Sequence, residues 1–114
     1  MSPDDVIRIQ HMIDAAETAL SFVRGRTRSD LNDDQMLLFA LVRAIEIVGE
    51  AASRITAATR TAIVDVPWAD AISMRNRLIH GYFDLNPDIV WVTATEELPQ
   101  LLPKLHDLLR HEER

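Results

Sequence analysis

Arg75-Asn76-Arg77-Leu78-Ile79-His80-Gly81-Tyr82 is the stretch whose reading decides the fold, and it crowds a strong base, an imidazole and a phenol together. Carried upstream to Pro67, its apolar positions are Trp68, Ala71, Ile72, Leu78 and Ile79. They fall on one face of a 3.6-residue period, which predicts a helix opened by Pro67 and closed by Gly81, with His80 in its last turn. Arg75 lies inside that apolar stripe, while Asn76, Arg77 and His80 point away from it. A guanidinium in a buried stripe needs a partner or a water-lined pocket, because an unpaired buried charge is expensive. Such a conflict between pattern and residue is where function is expected.

Working outward, the partner candidates lie on the preceding helix. Leu38, Leu41, Ile45, Val48, Ala52 and Ile55 predict an amphipathic helix from about Asp33 to about Ile55. Glu46 and Glu50 sit one turn apart on it, a like-charge spacing that costs a few tenths of a kcal/mol, on the order of 0.3, unless compensated. Either Arg43 and Arg54 supply the compensation on a solvated face, or Glu46 or Glu50 receives the guanidinium of Arg75.

At the start of the chain, Ser2-Pro3-Asp4-Asp5 reads as an N-cap, a proline at the first helical position and acids favoured by the helix dipole. Val6, Ile9, Ile13, Ala16, Leu20 and Val23 continue that helix to about Arg24-Gly25. Arg26 to Asp34 is a polar connector, and Thr56 to Val66 a weaker segment holding a short helix and a turn. Asn86-Pro87-Asp88 repeats the cap-then-proline signal, and Val90, Leu98, Leu101, Leu102, Leu105, Leu108 and Leu109 carry a stripe to the C-terminus. Pro99 and Pro103 each remove a backbone donor, so a kink or break is expected there. No alternating strand pattern is visible. The expectation is an all-α protein, an antiparallel bundle of four or five helices in one domain over residues 1–114.

The whole-chain numbers narrow the class. The 114 residues suit one domain, and 47% apolar content is ordinary for a globular protein. The absence of cysteine excludes disulfides and thiolate metal sites and fits a reducing compartment. No apolar run approaches a membrane span and Met1-Ser2-Pro3-Asp4-Asp5 is no signal peptide, so a soluble cytoplasmic protein is expected. The net charge of −6 argues against broad nonspecific nucleic-acid binding but leaves room for a small basic cleft, with Arg43, Arg54, Arg75 and Arg77 as the central cations.

Elimination removes most chemistries. No histidine follows an acid by three residues as a bundle di-metal site requires, and His11, His80, His106 and His111 offer no paired zinc ligands. Glycine-rich phosphate loops and a nucleophile elbow are absent, so neither cofactor nor metal is expected. Arg75, His80 and Tyr82 remain. On spacing alone they read as a core-paired arginine, a histidine stabilised at a helix end and a tyrosine packing the following turn.

Several ordered features change that weighting. Arg75-x4-His80-x-Tyr82 is similar to the R-x4-H-x-Y motif of HepT-like proteins, a branch of the HEPN superfamily of small helical ribonucleases. Glu46-Ile47-Val48-Gly49-Glu50-Ala51 resembles that branch's E-x-x-G-E-A segment, and Pro67-Trp68 ahead of Met74-Arg75-Asn76 resembles its proline-tryptophan lead. Val90-Trp91 followed by Glu97-Leu98-Pro99 is similar to its last helix, so the likeness runs from about residue 4 to 109.

The resemblance implies a homodimer whose two motifs line a cleft, acting on an RNA substrate as a metal-independent endoribonuclease toxin. It also implies a small nucleotidyltransferase-fold antitoxin that restrains the toxin by transferring AMP to Tyr82. The residue types suit that chemistry. His80 can move protons near neutral pH and Arg75 can fork onto phosphate oxygens, with Asn76 in support. On a straight helix, residues five apart point about 140° away from each other. Either His80 swings at the helix end, or the two groups come from different subunits. The alternative is a noncatalytic helical subunit that docks on the nucleotidyltransferase. A purely structural dimerisation module leaves Arg75 in its stripe unexplained.

Overall fold

The computed structural model describes residues 1–80 and 84–112, so Gly81 and Tyr82 lie outside the described residues. The expected all-α bundle forms, with an HEPN-like architecture. In chain order the helices are α1 (Pro3–Val23), α2 (Asp30–Asp33), α3 (Gln35–Ser53), α4 (Ala57–Ala62) and α5 (Trp68–Arg77). Two two-residue strands follow, β1 (Ile79–His80) and β2 (Asp84–Leu85), then α6 (Pro87–Val92), a π-turn (Thr93–Glu97) and α7 (Leu98–Glu112).

The first helix starts as its sequence dictates, with the Ser2 hydroxyl accepting from the Asp5 N–H at 3.1 Å. Apolar residues on one face of α1 (Ile9, Met12, Ile13, Ala16 and Ala19) pack it along Leu41, Ile45, Val48 and Ala52 of α3. The two run antiparallel across a connector that is more ordered than its composition implies. Arg26 bonds Asp30 at 3.2 Å and Asp34 at 2.8 Å, holding the one-turn α2 against the start of α3. Asp34 caps α3 by accepting from the Leu37 N–H, and the Arg26 guanidinium holds its carboxyl below the usual range. The long helix therefore begins at Gln35 rather than Asp33, and the connector carries a turn of helix.

Asp5 departs from its sequence reading. It is 1% exposed, and its carboxylate reaches across the fold to α4. It accepts from the Thr56 N–H at 3.0 Å, the Thr56 hydroxyl at 2.7 Å and the Thr59 hydroxyl at 2.6 Å. Burial alone pushes this carboxyl up, but the bonds from Thr59 and Thr56 outweigh it and hold the group below its ordinary value. What reads as a dipole residue is a clamp between the first helix and the segment that feeds α5.

Asn86 and Pro87 open α6 as expected, the Asn86 side-chain Oδ1 accepting from the Asp88 and Ile89 N–H groups at 3.1 and 3.3 Å. The kink expected at Pro99 and Pro103 takes another form. The π-turn runs straight into α7, with the Leu98 N–H donating to the Thr93 carbonyl, and Pro103 sits inside the continuing helix. The Thr95 hydroxyl donates to the Trp91 carbonyl at 2.7 Å, satisfying an acceptor beside the widened turn. Among the described residues, no helix is long and apolar enough to cross a membrane.

Candidate active site

The helix that carries the motif is shorter than its periodicity predicts. Its buried face is Trp68, Ala71 and Met74, joined just past its end by Leu78, and Ile72 is half-buried. Arg77 is the last helical residue, so His80 does not lie in a helical turn. Ile79 and His80 are extended and pair antiparallel with Leu85 and Asp84 respectively. The cause is a competing long-range bond: the Leu78 carbonyl accepts from the Asn86 N–H at 2.7 Å, drawing the chain into a hairpin. The same Asn86 that opens α6 thus closes the ladder that ends α5.

Arg75 is exposed, which corrects its expected place in the buried stripe. The reason lies opposite, at Gly49 of α3. A methyl group placed there would stand 3.2 Å from the Ala71 carbonyl, 3.4 Å from the Ile72 carbonyl and 4.0 Å from the Arg75 nitrogen. The α5 backbone itself, rather than its side chains, is seated against α3 at this point. Arg75 therefore leaves along the flank of the contact into solvent, where its charge costs little.

Its expected carboxylate partners are taken elsewhere. Glu46 pairs with Arg43 at 3.7 Å and Glu50 with Arg54 at 3.1 Å, each along the α3 surface. Among the described residues, no acid lies within salt-bridge distance of Arg75. The solvated-face alternative is the one realised, and the guanidinium of Arg75 is not neutralised by Glu46 or Glu50. Asn76 beside it is also exposed. Arg77, the third of this polar run, bonds Glu97 of the π-turn at 3.0 Å and the Asp70 carbonyl at 3.3 Å. That pair pins the end of α5 to the π-turn and borders a recess of about 170 Å³ with Lys104 and Gln100.

Among the described residues, no three His, Cys, Asp or Glu side chains converge as a metal cage would require. A second polar surface, missed in the sequence, lies across α3 from Arg75. Arg8 and His11 of α1 meet Arg43, Glu50 and Arg54 of α3 around a shallow pocket of about 280 Å³. Arg8 and His11 stand three apart and Arg43 and Arg54 eleven apart, so each pair shares a helical face. That spacing was visible; the packing that opposes the two faces was not.

An all-α bundle presenting an exposed arginine near a helix end, just ahead of a strand that carries a histidine, places the protein among small helical proteins with a cationic motif at a helix terminus. The chain matches the Ribonuclease HepT-like family over residues 12–108, and it belongs to that family. It is 34% identical to a provisionally named RNase of Caldanaerobacter subterraneus subsp. tengcongensis over 104 residues, covering 91% of this chain and 93% of that protein. It is 32% identical to a probable ribonuclease HepT of Thermococcus cleftensis, covering 88% of this chain and 91% of that one. A provisionally named RNase of Methanocaldococcus jannaschii is 29% identical over 79% of this chain and 83% of its own. No solved structure matches the chain significantly.

Proposed function

We propose that this protein is a metal-independent endoribonuclease, the toxin of a pair whose antitoxin is a small nucleotidyltransferase-fold protein, and that Arg75 and His80 carry the cleavage. The observation that supports this most is the exposure of Arg75 beside the helix-to-strand transition that precedes His80. A guanidinium without a carboxylate among the described residues, on a surface open to solvent, suits an anionic ligand.

In the proposed reaction the ribose 2′-oxygen attacks phosphorus and the bond to the departing 5′-oxygen breaks. The proton lost by the 2′-hydroxyl is balanced by one gained at the 5′-oxygen. Arg75 binds the non-bridging oxygens as negative charge grows on them. His80 carries one of the two proton transfers, and a second His80 from the other half of a homodimer carries the other. Asn76 supports the phosphate. Restraint follows when the antitoxin joins AMP to the Tyr82 phenol oxygen, breaking the α-phosphate bond of ATP and releasing pyrophosphate. The added bulk and negative charge would then occupy the place of RNA.

Purified protein produced without its antitoxin tests this. It should cut RNA equally with and without chelator, and Arg75→Ala and His80→Ala should each abolish cleavage while helicity is kept. Full cleavage by both variants would overturn the assignment. Co-production with the antitoxin should add adenylyl mass at Tyr82. The overall charge of −6 favours one competing reading, a noncatalytic subunit that docks on the nucleotidyltransferase. Pure wild-type protein inert toward RNA would favour that subunit.

A further inference from the structure

We propose that the pocket between α1 and α3, lined by Arg8, His11, Arg43 and Arg54, is a docking groove for the backbone of single-stranded RNA that holds substrate beside the cleavage motif. The inference rests on the ribonuclease reading for the identity of its ligand. Its physical basis is independent of that reading.

Charge comes first. The pocket is lined by three arginines and one carboxylate, Glu50, a balance of +2 with His11 neutral that stays positive, at +1, when the Glu46 paired to Arg43 is counted. The chain as a whole is −6, so everything outside the pocket sums to −8. A cationic recess on so acidic a body focuses the field on anions and disfavours other placements of them. The cations are also available. Among the described residues no carboxylate pairs with Arg8, and the Arg43–Glu46 contact is loose at 3.7 Å. The Arg54–Glu50 pair is 3.1 Å long but about half exposed on both sides, and such pairs hold weakly enough for a phosphate to displace.

Shape then selects the ligand class. Arg43 and Arg54 are separated by about 16 Å along α3 from the rise per residue. A row of that length exceeds one phosphate and fits several successive ones. All three strong cations are arginine, the side chain whose fork matches phosphate oxygens. Position completes the argument. Glu50 lines the pocket, and its neighbour Gly49 is the residue against which the backbone at Arg75 is seated. The groove and the motif thus flank a single helix, about 10–12 Å across. At about 100° per residue the α3 face that lines the pocket and Gly49 point well apart, so a strand leaving the pocket passes around α3 to reach Arg75.

The test uses the full chain and a fluorescently labelled single-stranded DNA oligonucleotide, which lacks the 2′-hydroxyl and survives intact. Anisotropy titrations over a range of salt compare wild type with the Arg8→Gln/Arg54→Gln double variant, circular dichroism confirming its helicity. Loss of two phosphate contacts should weaken binding about tenfold and reduce the salt slope by about 1.4. Cleavage of a long RNA should fall in kcat/KM by a similar factor, whereas cleavage of a dinucleotide too short to reach the pocket should be unchanged. Equal affinity and slope for the two proteins, or no salt-dependent binding by wild type, would overturn the groove. So would a double variant that keeps oligonucleotide binding and instead loses a polyglutamate peptide, an outcome that assigns the pocket to an acidic protein. Should wild type bind with the expected slope yet cleave neither RNA, the ribonuclease reading fails and the phosphate groove stands.

Discussion

Replacing Asp5 probes the clamp that joins the two ends of the bundle's first half. Its carboxylate takes three hydrogen bonds from Thr56 and Thr59 at 2.6 to 3.0 Å. A bond to a charged acceptor contributes about 1.5–3 kcal/mol. Thr56 is exposed and regains water when the acceptor is removed, whereas Thr59 is 7% exposed and does not. Counting the Thr59 bond in full and the other two in part, Asp5→Ala should destabilise the fold by about 3 kcal/mol. Asp5→Asn keeps one carbonyl acceptor and should lose about half as much.

The sign of the pH effect follows from the depressed carboxyl. The contribution is present above the unfolded value, about 3.9, and disappears as pH falls through the lower folded one. Urea unfolding of wild type and Asp5→Asn at pH 7 should show a gap that narrows toward pH 3 and closes below it. A gap of constant size across that range, or an Asp5→Ala loss under about 1 kcal/mol, would refute the clamp.

Gly49→Ala should destabilise by about 1 kcal/mol, because crowding the Ala71 and Ile72 carbonyls costs about 2 against a helix-propensity gain of about 1. Chemical denaturation showing a more stable variant would mean that α5 is not seated there. Thr95→Val, nearly isosteric, should cost about 1 kcal/mol by stranding the Trp91 carbonyl, with Thr95→Ser restoring the melting temperature. Arg77→Ala should cost only about 0.5 kcal/mol in thermal unfolding, since its pair with Glu97 is partly exposed. It should still lower RNA cleavage several-fold by freeing the end of α5.

Where local signals decided the structure, they were readable in the chain. Ser2 with Pro3 and Asn86 with Pro87 each place a cap and a fixed φ within a few residues, and both helices begin there. The end of α5 was not readable, because Leu78 and Ile79 extend the helical period. What stops the helix is a bond to Asn86, eight residues beyond Leu78. Arg75 was misplaced for a related reason. A helical wheel assigns a face but does not know that Gly49 lets a backbone approach, which moves the contact between side chains. Asp5 was legible as a helix-start acid, yet its partners stand more than fifty residues away. The family features survived these errors because they depend on ordered residue types rather than on the orientation inferred for each.

The helix-to-strand transition also bears on whether the proposed site lies within one chain or between two copies of it. Continued helix would set Arg75 and His80 about 140° apart and argue for pairing across a dimer. His80 stands in a strand rather than a helix, so that helical angle does not apply to it. Mixing inactive variants separates the two arrangements. If each site takes Arg75 from one protomer and His80 from its partner, an Arg75→Ala chain dimerised with a His80→Ala chain contains one site with both native residues. Random reassociation makes half the dimers mixed and half the sites in those intact, so about one quarter of wild-type activity should return. If each site is built within one chain, every site in the mixture lacks one group and nothing returns. The proposed acid and base from two His80 residues requires both imidazoles in one cleft, and even the mixed dimer then lacks one. Complementation near one quarter would therefore refute the two-histidine mechanism and leave His80 to carry both proton transfers in turn.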